Sequence, residues 1–297
     1  MVSVFMLVYN QEDYITETLQ SILNQKTTFP YNIIIGEDCS TDNTREILKE
    51  FKTQFPDQIK LITSDKNIGL INNFIRTLNH CDGKYIAICD GDDYWTDSDK
   101  LQMQVDFLES HTDYSIVFTR KKDVLPDGSI STYQPKKLDT SNFTDLIKGN
   151  YIPSVTALFR NKINGTLPLK WLYKYPYGDW PLYLYTTRDG SNIKFLDTVT
   201  AIYRKDIGVS AKVRKSKTGI IKVNVNILKD IYDDSAFKHY KAIVKQSMRQ
   251  HQITYMTSLV SDDQLLKSVK LFVSLMLKVN PVQLSRHYLY SLKKQYW

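Results

Sequence analysis

Two acidic segments follow two apolar runs in the first hundred residues of the sequence. One is Glu37-Asp38, with Asp42 close behind it, and the other is Asp90-Gly91-Asp92-Asp93. Carboxylates gathered in one place repel each other, and a divalent cation is their natural compensation. Hard cations such as Mg²⁺ or Mn²⁺ bind one or two carboxylates and complete their coordination with water and phosphate oxygens. A lone Asp-x-Asp is usually a solvated turn, whereas two acidic strand ends together indicate a metal-assisted reaction.

Alternating strand and helix patterns would position these acidic segments. The apolar runs predict strands over Val2–Tyr9, Tyr31–Gly36, Ile59–Thr63 and Lys84–Cys89. The helical patterns between them cover Glu12–Gln25, Thr41–Phe55 and Gly69–Asn79. Such alternation predicts βαβ units, that is, an α/β fold with a mostly parallel sheet and helices on both faces. Ligands bind outside the carboxyl ends of such strands, where the strand order reverses, so we expect the acidic segments to share one site.

Beyond residue 110 the pattern changes. Short β segments are predicted at Ser115–Thr119, Val155–Phe159 and Thr198–Tyr203, and the chain is helical from Gly219 onward. We expect a boundary near residues 205–218. Residues 1–210 contain 23 Lys and Arg against 27 Asp and Glu, whereas residues 211–297 contain 16 against 5. The strongly basic C-terminal region therefore indicates a second role, separate from that of the front of the chain.

Missing signatures disfavour several protein classes. No Gly-x-Gly-x-x-Gly or Walker loop follows the first strand, which disfavours dinucleotide dehydrogenases and P-loop kinases. Zinc clusters and a Gly-x-Ser-x-Gly elbow are also missing. Cys39, Cys81 and Cys89 lack a pairing pattern, which fits a reducing compartment. The first residues lack the basic segment of a signal peptide, and no apolar run is long enough to span a membrane. We therefore expect a cytoplasmic protein, free or peripheral on the inner face of the membrane.

The motifs of the first 210 residues, taken in order, carry a family resemblance. They are Ser3–Asn10, Leu19–Gln25, Glu37–Thr44, Asn67–Gly69, Asn73-Phe74, Gly83–Ile86, Asp90–Trp95, and Lys100-Leu101 with Gln104. In this order and spacing they resemble the inverting glycosyltransferases of family 2, in particular enzymes that build bacterial surface polysaccharides. The resemblance implies the Rossmann-like GT-A fold, here with a helical C-terminal extension at residues 211–297. Residues 1–110 would bind a nucleotide sugar, and residues 111–210 would form the acceptor side of the catalytic domain.

The resemblance also implies roles for matching positions. The donor, expected to be a UDP-sugar, would contact Val8, Tyr9, Asn10, Glu37, Asp38, Asn67, Asn73, Asp90, Gly91 and Arg204. Asp92 and Asp93 would hold Mn²⁺ or Mg²⁺, which neutralises the leaving diphosphate. Many family members have Asp-Asp where this chain has Glu37-Asp38, and Pro-Thr where it has Leu7-Val8. These departures remove no carboxylate, but they leave the identity of the bound nucleobase open.

An inverting transfer needs a base that takes the proton of the acceptor hydroxyl. In the family, this base usually lies in a Glu/Asp-Asp-Trp pattern that opens a helix. Asp179 is the matching residue, with Gly178 standing where an acid often lies. A helix N-terminus would favour the ionised form of Asp179, although a plain N-cap would look the same. Aromatic faces suit sugar rings, so we predict acceptor contacts from Trp95, Tyr177 and Trp180.

The basic C-terminal region has amphipathic helical patterns. Apolar residues recur between Leu265 and Val279, with Lys267, Lys270 and Lys278 among them. Such helices fit the surface of an anionic membrane. A helical cap on the catalytic domain and a homodimer interface are open alternatives. Nucleic acid binding is not expected, because nothing besides the positive charge supports it.

Together these features predict a metal-dependent inverting glycosyltransferase of the hexosyltransferase type. It would transfer a sugar to a glycan or lipid-linked acceptor during synthesis of capsule, O-antigen or a similar bacterial polysaccharide. One alternative is a sugar nucleotidyltransferase, which usually carries a Gly-rich basic loop that this sequence lacks after its first strand. The other is a non-catalytic protein that binds nucleotide sugars, against which Asp92 and Asp179 both speak.

Overall fold

The computed structural model describes residues 1–132, 138–163, 165–207 and 216–296. The chain divides into two compact units, Met1–Ala211 and Lys212–Trp297. This division lies one residue from the boundary predicted between residues 210 and 211. Residues 208–215 of the predicted boundary segment lie outside the described residues.

The first unit begins with the predicted alternation of strands and helices. Its elements are β1 (Val2–Val8), α1 (Ile15–Leu23), β2 (Tyr31–Glu37), α2 (Thr44–Gln54), β3 (Ile59–Ile62), α3 (Leu70–Leu78) and β4 (Tyr85–Ile88). Every residue of β1 and β4 is buried, as expected for parallel strands covered on both faces. The helices bury one stripe each; in α1 this stripe includes Ile15, Leu19 and Ile22.

The strand order brings the carboxyl ends of three strands to one edge. The parallel part of the sheet runs β3-β2-β1-β4, so the chain moves outward from β1 to β3 and then returns to β4 on the other side. Val8 at the end of β1 lies opposite Glu37 at the end of β2. Phe5 lies opposite Ile88 at the end of β4. The order reverses between β1 and β4, which is where α/β sheets bind ligands.

The rest of the first unit extends this sheet. Its elements are β5 (Tyr94–Trp95), α4 (Lys100–Ser110), β6 (Tyr114–Val124), β7 (Ile130–Thr132), β8 (Thr140–Ser141), α5 (Phe143–Leu146), β9 (Leu158–Arg160), α6 (Asp179–Thr186) and β10 (Asn192–Arg204), with 3₁₀ turns at Ser154–Thr156 and Lys170–Lys174. The order continues β9-β6-β10-β5, and β9 is antiparallel to both β4 and β6. The predicted α/β class is confirmed. The strand predicted at Val155–Phe159 is wrong in its first half, which forms a 3₁₀ turn.

The second unit is helical, as its sequence pattern predicts. It contains α7 (Lys217–Asp233), a 3₁₀ segment (Ser235–Tyr240), α8 (Lys241–Ser261), α9 (Leu265–Met276) and α10 (Pro281–Tyr296). The last three helices share a small core of Met256, Val260, Leu275, Leu284 and Tyr288. Within the described ranges, no helix combines the length and the apolar character that crossing a bilayer requires.

A buried lysine lies in the core below the edge of the sheet that carries the acidic segments. Lys100 Nζ donates to Gln104 Oε1 at 2.8 Å and lies over the ring of Trp95, 4.3 Å from its centroid. Gln104 Nε2 in turn donates to the carbonyl oxygens of Val117 and Thr156. Burial lowers the pKa of Lys100 to about 7, because desolvation disfavours its charged form. The lysine thereby connects α4 to β6 and to the turn before β9.

The buried lysine should leave a signature in the pH dependence of stability. Its pKa is lower in the folded chain than in the unfolded chain, so the unfolded chain binds more protons between the two values. The contribution of Lys100 to the free energy of unfolding therefore increases with pH and is least favourable below its folded pKa. We expect Lys100→Met to gain stability relative to the wild type as the pH falls from about 9 to about 6.

Urea unfolding at several pH values measures this difference. The exposed Lys60 provides the matched control, and Lys60→Met should show no such trend. A difference between Lys100→Met and wild type that stays constant with pH would contradict the prediction.

Candidate active site

The acidic turn Asp90–Asp93 directly follows β4 and is bound by two neighbouring elements. The N–H of Leu7 in β1 donates to Asp90 Oδ1 at 3.4 Å. From α1, Thr18 Oγ1 donates to the carbonyl oxygens of Gly91 and Asp93, at 3.0 and 2.6 Å. A Cβ on Gly91 would lie 2.4 Å from Gln11 Oε1 and 3.0 and 3.1 Å from the side chains of Val8 and Ile15, so a larger residue would require these side chains to move. The turn is therefore fixed before any ligand binds.

Arg204, at the end of β10, binds the same turn from the other side. Its backbone N–H donates to Asp93 Oδ1 at 3.0 Å, and its Nη1 donates to the carbonyl oxygen of Asp92 at 2.7 Å. Its Nη2 bonds to the carboxylate of Glu17. Arg204 is nearly buried in these contacts. Its guanidinium thus supports the acidic turn, and the donor contact predicted for Arg204 stays a prediction.

The carboxylates of the acidic turn lie close enough to one another to shift their pKa values. Burial, followed by the charges of Asp92 and Asp179, raises the pKa of Asp90 to about 7, although the N–H of Leu7 opposes this. Burial, followed by the charge of Asp92, also raises the pKa of Asp93 well above its usual range, although the N–H of Arg204 and the nearby Lys121 oppose this. A cation at this position would relieve the repulsion.

Asp179 shares this site, although it lies 89 residues beyond Asp90 in the sequence. It is the first residue of α6, and its carboxylate raises the pKa of Asp90 by charge repulsion. Asn150 Nδ2 donates to Asp179 Oδ2 at 2.8 Å and orients the carboxylate. Sequence reasoning missed Asn150, because a loop asparagine 29 residues away carries no pattern that links it to Asp179. The structure thus brings the predicted base and the acidic turn together.

Gly178, just before the predicted base, is required by packing. A Cβ at this position would lie 2.6 Å from the ring of Phe74, closer than real atoms approach. Phe74 belongs to α3 and packs edge-on against Phe5 of β1, with their ring centroids 5.1 Å apart. The acid that the family often has here has no room in this chain. The same ring therefore connects the helix that carries Asp179 to the strand below the acidic turn.

The predicted donor side forms around Asp38. Asp38 is buried, and its carboxylate accepts from the N–H groups of Ile68 and Gly69 at 2.8 and 2.9 Å. Asn67 is exposed, and its side chain also accepts from Gly69 N. Asn73 is buried and donates to the carbonyl oxygen of Gly36 at 2.7 Å, so it holds the end of β2 from within the protein.

The end of β1 is tied to the loop after β2. Asn10 has a positive φ of 52°, and its N–H donates to Ser40 Oγ at 3.1 Å. The N–H of Thr41 donates to Asn10 Oδ1 at 2.8 Å. Val8 is buried beside this junction, whereas Tyr9 is half-buried. These bonds shape the loop in which the sequence predicts nucleobase contacts.

The carboxylate of Glu37 is balanced by the protein itself. The sequence suggested that a cation compensates both acidic segments, and for Glu37 this is wrong. Its Oε1 accepts from Ser40 N at 2.6 Å, and its Oε2 pairs with Arg45 Nε at 2.6 Å. Arg45 comes from α2, and the sequence pattern gave no reason to pair it with Glu37. Asp42 is likewise satisfied, since it accepts from the N–H groups of Glu12 and Thr44. Glu37 therefore supports the loop at Ser40 and needs no cation to balance its charge.

Two of the three predicted acceptor contacts are wrong for the same physical reason. Trp95 and Trp180 are only 4% and 1% exposed. Their indole N–H groups donate to the carbonyl oxygens of Val155 and Leu146, at 2.9 and 2.8 Å. Both rings therefore belong to the core around the site. Tyr177 is half-buried, and burial together with the charge of Asp179 raises its pKa above the usual range.

The residues of the acidic turn fit a divalent cation in one specific way. Among the residues that the structure describes, no group of three or more His, Cys, Asp or Glu side chains is arranged as a complete metal site. A Mg²⁺ or Mn²⁺ ion needs no such cage when substrate phosphates complete its coordination. The donors here are oxygen only, and Asp92 is half-buried whereas Asp93 is buried. Asp92 is thus the carboxylate best presented to a ligand-bound cation.

Comparison with known proteins identifies the family. Residues 3–167, more than half of the chain, match the family described as Glycosyl transferase family 2. The chain therefore belongs to glycosyl transferase family 2, as the order of its motifs predicts.

Its relatives include uncharacterised and assigned proteins. An uncharacterised protein of Mycobacterium tuberculosis is 32% identical over 212 residues, which are 68% of this chain and 58% of that protein. The chain thus spans less than two thirds of the length of this relative. The UDP-Glc:alpha-D-GlcNAc-diphosphoundecaprenol beta-1,3-glucosyltransferase WfgD of Escherichia coli is 25% identical over 181 residues, which are 61% of this chain and 68% of WfgD.

A solved structure supports the fold. TarS of S. aureus, residues 1–349 in complex with UDP-GlcNAc, superposes with a TM-score of 0.64 over 98% of this chain and 89% of that chain, at 19% identity. This likeness establishes the GT-A fold for the chain.

Proposed function

We propose that this protein is an inverting glycosyltransferase that transfers a hexose-type sugar from a UDP-sugar to a glycan or lipid-linked acceptor. One observation carries the proposal: the carboxylate of Asp179 acts electrostatically on Asp90, in the turn that also carries Asp92. A candidate base and the acidic turn thus meet where the strand order reverses. The membership of the chain in glycosyl transferase family 2 supports the reaction class.

The donor would bind above the ends of β1, β2 and β4. Its nucleobase would lie against Tyr9, Asn10, Asp38 and Asn67. Asn10 accepts from the N–H of Thr41, and Asp38 and Asn67 both accept from the N–H of Gly69, so these bonds shape the segments before a donor binds. UDP is our proposal for the nucleotide because TarS was solved with UDP-GlcNAc and WfgD is named for a UDP-Glc donor. Asp90 would contact the ribose, with Gly91 keeping the backbone close to it.

The acceptor side of the site is built around Asp179. In our proposal, Asp179 takes the proton of the acceptor hydroxyl while the acceptor oxygen attacks the anomeric carbon. The bond from that carbon to the diphosphate breaks, and UDP leaves with the bonding electrons. Because the attack comes from the face opposite the leaving group, the configuration inverts. Tyr177, half-buried beside Asp179, supplies an aromatic surface for a sugar ring.

A divalent cation, Mn²⁺ or Mg²⁺, would neutralise the leaving diphosphate when bound. Asp92 would hold it from the protein side, and Asp93 keeps the turn in place through Arg204. Arg204 in turn anchors Asp92 through its carbonyl oxygen. In this assignment each carboxylate of the turn has a role, and Asp93 keeps its buried hydrogen bond to Arg204 when the cation binds.

A relative and the second unit support our proposal for the acceptor and for the location of the protein. WfgD is named for an acceptor on diphosphoundecaprenol, a membrane lipid. We infer that this chain also extends a lipid-linked saccharide in polysaccharide synthesis, from the cytoplasmic face of the membrane. The contact surface would be α9 and α10 with the turn between them, a segment that exposes Leu266, Val269, Val273, Leu277, Val282 and Leu289. Lys267, Lys270, Lys278, Arg286, Lys293 and Lys294 lie exposed on the same segment.

That surface matches an anionic bilayer in its chemistry. On α9 the inward stripe is Ser268, Leu271, Phe272 and Leu275, and the exposed apolar residues form a second stripe. Leu266 is 82% exposed and Leu277 is 97% exposed. Insertion into the lipid surface would remove these apolar side chains from water, which favours binding. The neighbouring cations would bind anionic head groups, at about 1 kcal/mol for each residue near the surface.

The metal requirement can be tested by donor binding and by turnover. A thermal-shift screen of UDP-sugars should show stabilisation that depends on Mn²⁺ or Mg²⁺, because only a bound ligand shifts the unfolding equilibrium. We expect Asp92→Asn, or EDTA on the wild type, to reduce UDP release from the best donor by roughly 10²-fold or more, equivalent to a few kcal/mol of lost charge stabilisation. Asp99→Asn removes the same charge from an exposed position nearby and should be neutral.

Restoring Mn²⁺ should rescue the EDTA-treated wild type but not Asp92→Asn. Full activity in EDTA would exclude the metal role.

The base assignment predicts a separation of turnover from binding. Asp179→Asn keeps the size of the side chain and its acceptor oxygen for Asn150, but it cannot take a proton. We expect UDP release to fall by roughly 10²- to 10⁴-fold, with donor affinity within a few-fold of the wild type. The control is Asp189→Asn, at the other end of α6, where the carboxylate pairs with Lys162. Donor affinity that falls as much as turnover would instead make Asp179 a structural residue.

The membrane surface is best tested with point variants. Removing α9 and α10 would expose Met256 and Val260 and could unfold the second unit. A truncated protein that fails to bind vesicles would then not show whether the binding surface or the fold was lost. We expect the wild type to sediment with anionic vesicles, less with neutral ones, and less at high salt. Leu266→Gln with Leu277→Gln should weaken this binding at unchanged melting temperature. Leu138→Gln, which alters an exposed leucine of the first unit, should leave it intact.

The alternatives give distinct results in the same experiment. A wild type that does not sediment with any vesicle would refute the membrane surface. If the wild type is dimeric and the double variant monomeric, the stripe is an interface between copies of the chain.

A further inference from the structure

Tyr183 has an unexplained hydroxyl next to the proposed base. The side chain is completely buried in α6, and its hydroxyl has no hydrogen-bond partner among the described residues. An unpaired buried hydroxyl lowers the stability of the folded protein, whereas a phenylalanine would fill the same space without that penalty. Such a group in a folded protein calls for a functional or structural reason.

Tyr183 lies on the same side of α6 as the proposed base. It lies four residues after Asp179, so both side chains are on one face of α6. Aromatic side chains on helices lean toward the N-terminus, which brings this ring over the turn that carries Asp179. Its other side packs edge-on against Phe159 of β9, 5.7 Å between ring centroids, and β9 pairs with β4 just before Asp90.

The surroundings also settle the protonation state of this hydroxyl. Burial, followed by the charges of Asp179 and Asp90, raises the pKa of Tyr183 well above its usual range. The phenol therefore keeps its proton. In a hydrogen bond to either carboxylate it is the donor. Since its oxygen is shielded from solvent, an acceptor sugar does not reach it in this conformation.

We propose that Tyr183 is a positioning residue whose hydroxyl donates a hydrogen bond to Asp179 when substrates occupy the site. The inference rests on the proposed role of Asp179 as the base. A carboxylate accepts about four hydrogen bonds, so Asn150 and Tyr183 can both bind Asp179 and still leave a lone pair for the acceptor proton. Hydrogen bonds of this kind are often unmade in ligand-free enzymes and form in the substrate complex.

The test replaces only the hydroxyl. Tyr183→Phe should reduce the turnover of UDP release by roughly 10- to 10²-fold, the range expected for a hydrogen bond to a charged group, with the KM for the UDP-sugar unchanged. Its melting temperature should equal or exceed that of the wild type, because the unpaired hydroxyl is gone. The lower limb of the pH–turnover profile should move to higher pH, since losing a donor raises the pKa of the carboxylate. The control, Tyr185→Phe, removes a hydroxyl from the same helix and should be neutral.

A double-mutant cycle separates this inference from the proposed base. If Tyr183 acts through Asp179, then Tyr183→Phe has little further effect in the Asp179→Asn background. An equal loss in both backgrounds would overturn the positioning role. So would unchanged turnover in Tyr183→Phe beside an impaired Asp179→Asn. Full turnover in Asp179→Asn would refute the base itself, and the proposed mechanism with it.

Discussion

The hydrogen bonds that hold the acidic turn Asp90–Asp93 are the constraint on which the rest of the site depends. Three carboxylates within four residues repel one another, and a free turn would spread them into solvent. Instead β1, α1 and β10 each contribute a donor, and Arg204 alone binds both Asp92 and Asp93. Burial, followed by the charges of Asp92 and Asp179, raises the pKa of Asp90 to about 7, so part of the repulsion remains in this arrangement. That repulsion is what a bound cation would relieve.

Much of this arrangement could be predicted from the sequence, because two strong rules apply to the first hundred residues. Apolar runs of strand length alternate with helical stripes, and parallel strands end at one edge of the sheet. The observed β1 and β2 therefore end within one residue of the predicted Tyr9 and Gly36. Asp179 could be placed only through the family motif, since nothing in its local sequence indicates that α6 returns to the edge that carries Asp90.

Side-chain roles were less predictable, because they depend on which groups meet across the fold. Trp95 and Trp180 lie in motifs near the site, yet both bury their rings and satisfy their indole N–H groups on backbone carbonyls. Glu37 follows a strand end like Asp90, but Arg45 happens to reach it from α2. Asn150 orients Asp179 from a loop whose position no periodicity reports. In each case the partner is far away in the sequence and belongs to no recognisable motif. The sequence pattern therefore predicted where each side chain lies, but not which group it contacts.

The glycine before Asp179 shows how packing and electrostatics agree at the centre of the site. Phe74 fills the space that a side chain at position 178 would need, so the acid often found there in the family has no room. An acid at 178 would also add a further negative charge to a site where burial, and then the charges of Asp92 and Asp179, already raise the pKa of Asp90. With glycine there, Asp179 is the carboxylate that α6 presents, and Asn150 binds it directly. The packing of Phe74 on Phe5 then fixes the first turn of α6 relative to β1. The core thus sets the separation between Asp179 and the acidic turn.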